Sequence, residues 1–179
     1  MFYKTLLQPD VVLGETILAL TPERLQQYGL QGMVLDVDET LVPFRQSQIS
    51  GELNQWFASI KPLVQLWLVS NNTSESRIRT IAESLEVPYL ASALKPSRRK
   101  LRQALESMAL PPQNVAMVGD RLFTDVLAGN RLGMFTIWVD PMQEDDMDPS
   151  AVTTPKQFIR NTEIWISQRL GVSLNTTPS

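Results

Sequence analysis

Four short segments hold the residues whose types and spacing suit phosphate chemistry. The first, Asp36-Val37-Asp38-Glu39-Thr40, places two acids two positions apart. Residues so spaced point the same way in an extended chain, and a turn beginning at Asp38 aims both carboxylates into one pocket. Acids this close repel, which raises one pKa and leaves the other group ionised. One can then attack as a nucleophile while the other donates a proton. A divalent cation relieves the crowding, and Mg²⁺ prefers carboxylate oxygens combined with substrate phosphate. A strand-end turn with solvated acids has the same local pattern, so the pair by itself leaves both readings open.

The second segment is Ser70-Asn71-Asn72. A hydroxyl and amides on a strand-to-helix turn can donate to phosphate oxygens beside a helix N-terminus that favours anions. Ser and Asn also cap helices with no ligand involved. The third is Lys95-Pro96, whose ammonium offers a point charge to a transferring phosphoryl group or is a plain surface lysine. The fourth is Gly119-Asp120-Arg121-Leu122-Phe123-Thr124-Asp125. Gly119 permits close backbone approach, Asp120 can complete a metal site, and Asp125 either supports a neighbour or complements a helix dipole. Each segment alone is ambiguous; their order and joint placement are not.

Composition removes the competing chemistries. The 179 residues include no Cys and no His, which excludes disulfides, thiolate catalysis, the usual zinc sites and a Ser-His-Asp triad. Acid–base work falls to carboxylates, Lys or Tyr. A net charge of −3 and a pI near 5.0 argue against specific nucleic-acid binding. The exception is local: Arg98, Arg99, Lys100 and Arg102 fall together. No run approaches the roughly 20 apolar residues of a membrane span. Residues 1–13 lack the long apolar core and cleavage site of a signal peptide. A cytoplasmic protein is expected, with contact at a membrane surface left open and the oligomeric state undetermined.

The elements that must position these groups are legible as alternation. Five short apolar runs, at 32–37, 65–70, 88–92, 114–119 and 134–140, read as buried parallel strands. Helix-patterned stretches lie at about 50–61, 74–86, 97–109 and 123–131. Ile78, Ile81, Ala82 and Leu85 form one apolar stripe, and Leu101, Ala104, Leu105 and Met108 another. A doubly wound, five-stranded parallel α/β sheet of the Rossmann-like kind follows, with ligands expected at the carboxyl ends of its strands. Residues 1–31 read as a helical entry segment, 32–170 as the catalytic domain and 171–179 as a frayed polar tail. Residues 141–150 read as a solvated acidic loop. A last helix at roughly 155–170 has Phe158, Ile159, Trp165, Ile166 and Leu170 as its apolar positions.

Taken together, the four segments resemble the motif set of the haloacid dehalogenase (HAD) superfamily of phosphohydrolases over about residues 30–140. By that resemblance Asp36 forms an aspartyl-phosphate and ligates Mg²⁺, while Asp38 is the general acid/base and binds the metal through its carbonyl. Thr40 braces the loop and joins Ser70, Asn71 and Lys95 around the phosphoryl group. Asp120 is a metal ligand, and Asp125 orients its neighbours. The gaps 41–69 and 71–94 are too short for a cap domain, so an open site is expected. A narrower likeness, from Leu6-Leu7-Gln8-Pro9 through Thr21-Pro22-Glu23-Arg24-Leu25 to Gly29-Leu30-Gln31-Gly32, is to the YqeG-like, subfamily IIIA phosphatases. Relatives of these convert phosphatidylglycerophosphate to phosphatidylglycerol, which implies a lipid headgroup substrate. The alternatives are a soluble phosphatase acting on a sugar, nucleotide or nucleic-acid end, a receiver domain, or a non-catalytic adaptor.

Overall fold

The computed structural model describes residues 2–43, 46–142 and 155–177. Six parallel strands form one sheet: β1 (Val11–Val12), β2 (Gly32–Leu35), β3 (Gln65–Val69), β4 (Tyr89–Leu90), β5 (Val115–Gly119) and β6 (Phe135–Trp138), in spatial order β1-β6-β5-β2-β3-β4. The helices are α1 (Phe2–Leu7), α2 (Pro22–Gln27), α3 (Gly51–Ile60), α4 (Glu75–Leu85), α5 (Arg99–Met108), α6 (Leu127–Asn130) and α7 (Pro155–Arg169). A π-helical turn, Leu122–Val126, leads into α6.

The strand count differs from the expected five. The extra strand comes from the entry segment, where Val11 and Val12 pair with Ile137 and Trp138 at the sheet edge. Two residues are too few to show a period, and their partner lies far along the chain. Residues 172–177, expected to fray, also run beside β1. The Thr177 backbone N–H donates to the Val12 carbonyl at 2.9 Å, and the Val12 N–H donates to Thr177 Oγ1 at 3.0 Å. Most of the acidic loop read at 141–150 lies outside the described residues.

Helices cover both faces of the sheet. Met33, Leu35, Leu68 and Val118 pack against Leu53, Phe57 and Ile60 of α3 and against Ile78, Ile81 and Leu85 of α4. On the opposite face Val34, Val69 and Met117 meet Leu101, Ala104, Leu105 and Met108 of α5. Both stripes seen in the sequence are therefore the buried faces of their helices. Burying such side chains supplies about 1.5–3 kcal/mol each, which is what holds the layers together. The described parts of 41–69 and 71–94 form only α3 with β3 and α4 with β4, so neither gap holds a cap.

Chain order turns at β2, with β3 and β4 on one side and β5 and β6 on the other. Leu35 pairs with Leu68 and with Val118, so the three central strands end level. Their next residues, at the topological switch point where such sheets bind ligands, are the motif residues.

Candidate active site

Asp36 follows β2, and its N–H donates to the Val118 carbonyl at 2.9 Å, which fixes it to β5. The chain then turns sharply: the Leu41 and Val42 N–H groups both donate to the Val37 carbonyl, and Glu39 sits at φ 66. That left-handed residue reverses the backbone so that Thr40 passes behind the acids. Thr40 is fully buried, with its hydroxyl 3.5 Å from Asp120 Oδ1. It braces Asp120 and, like Ser70, does not line the pocket, whereas Asn71 and Lys95 do.

Lys95 lies at the centre. Its Nζ is 2.6 Å from Asp36 Oδ1 and 2.7 Å from Asp125 Oδ1, with the lysine side chain 1% exposed. Burial opposes its charge, but the carboxylates of Asp125 and Asp36 overcome this and raise the lysine above its ordinary range. The surface-lysine reading is thereby excluded. Burial pushes Asp36 up to about 7, against the pull of Lys95 and with a further push from Asp125. Asp120 is raised well above the usual carboxylate range, first by burial and then by Asp125 and Asp36.

The pocket is about 340 Å³ in volume, and its walls include Asp36, Asp38, Asn71, Lys95, Asp120 and Arg121. Asn71 anchors the lysine loop from both ends of its amide. Its Oδ1 accepts from the Lys95 N–H at 2.6 Å, and its Nδ2 donates to the Lys95 carbonyl at 3.0 Å. Ser70 Oγ donates to Asp38 Oδ2 at 3.0 Å and accepts from the Asn72 N–H at 2.9 Å. Gly119 has a concrete reason to lack a side chain, since a Cβ there would lie 2.7 Å from the Asp125 Cβ. Asp125 Oδ2 accepts from the Arg121 N–H at 3.2 Å, so both of its oxygens are engaged within the site.

Carboxylate oxygens of Asp36, Asp120 and Asp125 lie within 4.8 Å of one another. Asp120 Oδ2 is buried and accepts no hydrogen bond among the described residues; the Arg160 guanidinium faces it at 3.8 Å, beyond hydrogen-bond reach. A buried carboxylate oxygen without a hydrogen bond, in an all-oxygen acidic cluster, fits a hard dication. The cluster adds Asp125, which the sequence suggested only as a supporting residue; the Asp38 carboxylate is turned toward Ser70, Asn72 and Arg77.

The comparisons with known proteins fit this geometry. The HAD-hydrolase-like family model matches residues 93–159. The Probable phosphatase YqeG of Bacillus subtilis (strain 168) is 35% identical over 133 residues, covering 74% of this chain and 77% of that protein. The chain belongs to the HAD hydrolases. Among curated relatives, Phosphatidylglycerophosphate phosphatase 1, chloroplastic, of Chlamydomonas reinhardtii is 26% identical over 153 residues. That match covers 80% of this chain and 55% of the longer protein. A protein named as a HAD family hydrolase from Streptomyces avermitilis MA-4680 shares the fold at a TM-score of 0.51 and 18% identity, over 72% of this chain and 82% of that one.

This HAD phosphatase also has site residues that sequence reasoning missed. Arg77 of α4 donates from Nη1 to Asp38 Oδ1 at 2.7 Å and from Nη2 to the Gln46 carbonyl at 2.7 Å. It ties the acid to the loop that follows it. Arg160 of α7 donates from Nη1 to the Asp120 carbonyl at 2.6 Å and stacks 4.5 Å from the Trp138 ring centroid. Burial lowers the Arg160 pKa, opposed by Asp120 and Asp140. Glu163, 5% exposed, accepts from Arg121 Nε at 3.0 Å and from the Leu122 N–H at 3.2 Å. Its hydrogen bonds raise Arg121 above its ordinary range. In the sequence these are ordinary helix charges, and only the distant partner reveals them.

Proposed function

We propose that this HAD phosphatase hydrolyses a phosphomonoester with Mg²⁺ through an aspartyl-phosphate at Asp36, and that the ester is the headgroup of phosphatidylglycerophosphate. The observation carrying the reaction is the Asp36 carboxylate held 2.6 Å from the Lys95 ammonium beside a buried Asp120 oxygen that accepts no hydrogen bond among the described residues. The proposed metal ligands are the carboxylates of Asp36 and Asp120 with the carbonyl of Asp38. Bound there, the cation supplies charge neutralisation of the phosphoryl oxygens and favours ionised Asp36.

In the first half-reaction an Asp36 oxygen attacks phosphorus. The bond to the leaving oxygen breaks, and that oxygen takes a proton from Asp38. In the second, water attacks phosphorus and gives its proton to Asp38. The phosphorus bond to Asp36 then breaks and phosphate leaves. Lys95 and Ser70 hold the transferring group, and Asp125 keeps Lys95 in place. Asp38 must leave part of its bond set with Ser70, Asn72 and Arg77 to reach the leaving oxygen.

The lipid substrate is supported by the activity for which the Chlamydomonas relative is named and by the absence of a cap among the described residues, which leaves room for a headgroup still embedded in a bilayer. No helix among the described residues is long and apolar enough to cross a membrane. Phosphate release tests the reading, measured with phosphatidylglycerophosphate in mixed micelles beside water-soluble phosphomonoesters, with Mg²⁺ and with chelator. Asp36→Asn is expected to lose at least about 10³-fold in turnover, and chelation to abolish it reversibly. Retained turnover in Asp36→Asn would remove the nucleophile assignment. Lipid turnover no faster than that of the soluble esters would favour the soluble-substrate alternative.

A further inference from the structure

Helix α5 buries its apolar stripe and leaves a basic face to solvent. Arg98 stands at its start, Arg99 and Arg102 follow, and Arg131 comes from the end of α6; all four are exposed. With Ser97 and Glu106 they line a second cleft, of about 580 Å³. Among the described residues none of these guanidiniums is ion-paired with a carboxylate, although Glu106 is nearby. Two of them are instead fixed by carbonyls. Arg98 Nη1 donates to the Arg131 carbonyl at 3.4 Å, and Arg131 Nη1 donates to the Pro96 carbonyl at 3.1 Å.

Like charges gathered without a counterion among the described residues repel, and this chain has a net charge of −3. The cluster is thus a local exception that an anion would relieve, and the planar arginine fork suits phosphate oxygens. Its position is informative. Ser97 on the cleft wall is two residues from Lys95 on the pocket wall. On the other side of Lys95, Leu94 is 71% exposed. An apolar tip and a row of guanidiniums thus adjoin, along the chain, the lysine of the pocket. A phosphate layer over hydrocarbon complements both features. No aromatic side chain lines the cleft, so it lacks the stacking platforms of single-stranded nucleic-acid sites.

We propose that the α5 cleft is a non-catalytic phosphate-binding surface that seats the protein on an anionic phospholipid bilayer, with Leu94 entering the interface. It rests on the lipid reading above for its purpose, but its test does not depend on turnover.

Co-sedimentation is measured with vesicles of phosphatidylglycerol and phosphatidylcholine and with phosphatidylcholine alone. The full chain is expected to bind only the anionic vesicles, more weakly as salt rises. Arg99→Glu/Arg102→Glu is expected to weaken binding by about 25-fold or more, roughly fivefold for each arginine. Turnover of a water-soluble phosphomonoester and the melting temperature should not change. Leu94→Ser should weaken binding less, and in a way that salt does not alter.

Equal binding to neutral vesicles, or full binding by the double variant, would overturn the proposal. So would displacement of the vesicles by RNA at lower phosphate concentration, which would make the cleft a nucleic-acid surface. Micelle turnover isolates the substrate reading. If it fails while vesicle binding is intact, the docking surface stands and the substrate falls; normal micelle turnover without vesicle binding gives the reverse.

Discussion

Helices α5 and α7 are built on opposite plans. In α5 the apolar residues face the sheet and the arginines face solvent. In α7 the most deeply placed residues are polar: Glu163 and Ser167 are buried and Arg160 is half-buried, while Ile164 is only partly buried against the cluster around Trp138. Phe158 and Trp165 are 68% and 58% exposed. One helix is attached by the hydrophobic effect, which is non-directional and tolerant of neighbours. The other is attached largely by directed bonds to the loop after β5. Arg160 grips the Asp120 carbonyl, and Glu163 grips Arg121 and the Leu122 N–H. A helix held mainly by burial serves the fold; one held by an acid and a base serves the atoms it touches.

The contrast can be broken at three places. Leu101→Ala in α5 should destabilise the protein most, by about 2–5 kcal/mol in chemical denaturation, through lost burial and a cavity. Its effect on turnover at temperatures where the protein stays folded should be small. Glu163→Gln in α7 should lower stability less, by about 1–3 kcal/mol, because Arg121 loses its charged partner. It should also raise the Mg²⁺ concentration needed for half-maximal turnover, since the loop bearing Asp120 loses its anchor. If turnover and metal dependence stay unchanged, the inward face of α7 is only structural. Trp165→Ser, on the outward face, should change stability by no more than about 0.5 kcal/mol. A large loss there would mean that the exposed apolar face of α7 has a packing role after all.

The same contrast explains what the sequence reveals. Asp36, Ser70, Lys95 and Asp120 were legible because each follows a short apolar run or opens a helix, and because their order along the chain is informative. The α4 and α5 stripes were legible because burial leaves a period. Val11–Val12 was too short for one, so the sixth strand was missed. Arg77, Arg160 and Glu163 were missed for another reason. Each is an ordinary charge on a helix, and its partner is 39 residues away for Arg77, 40 for Arg160 and 42 for Glu163. In α7 several of the apolar positions, Phe158 and Trp165 among them, point outward, because Arg160 and Glu163 turn inward to specific partners.

The direction of synthesis gives the α7 clamp a temporal meaning. A nascent chain has every motif residue once Asp125 has emerged, and all six strands once Trp138 has followed. Until residue 163 is also free, Arg121 has no carboxylate from α7 and the Asp120 carbonyl lacks a fully anchored guanidinium. The last bonds to the loop after β5 thus form only after the whole sheet has emerged, and a chain cut short before α7 holds all four motifs without the grip that α7 adds.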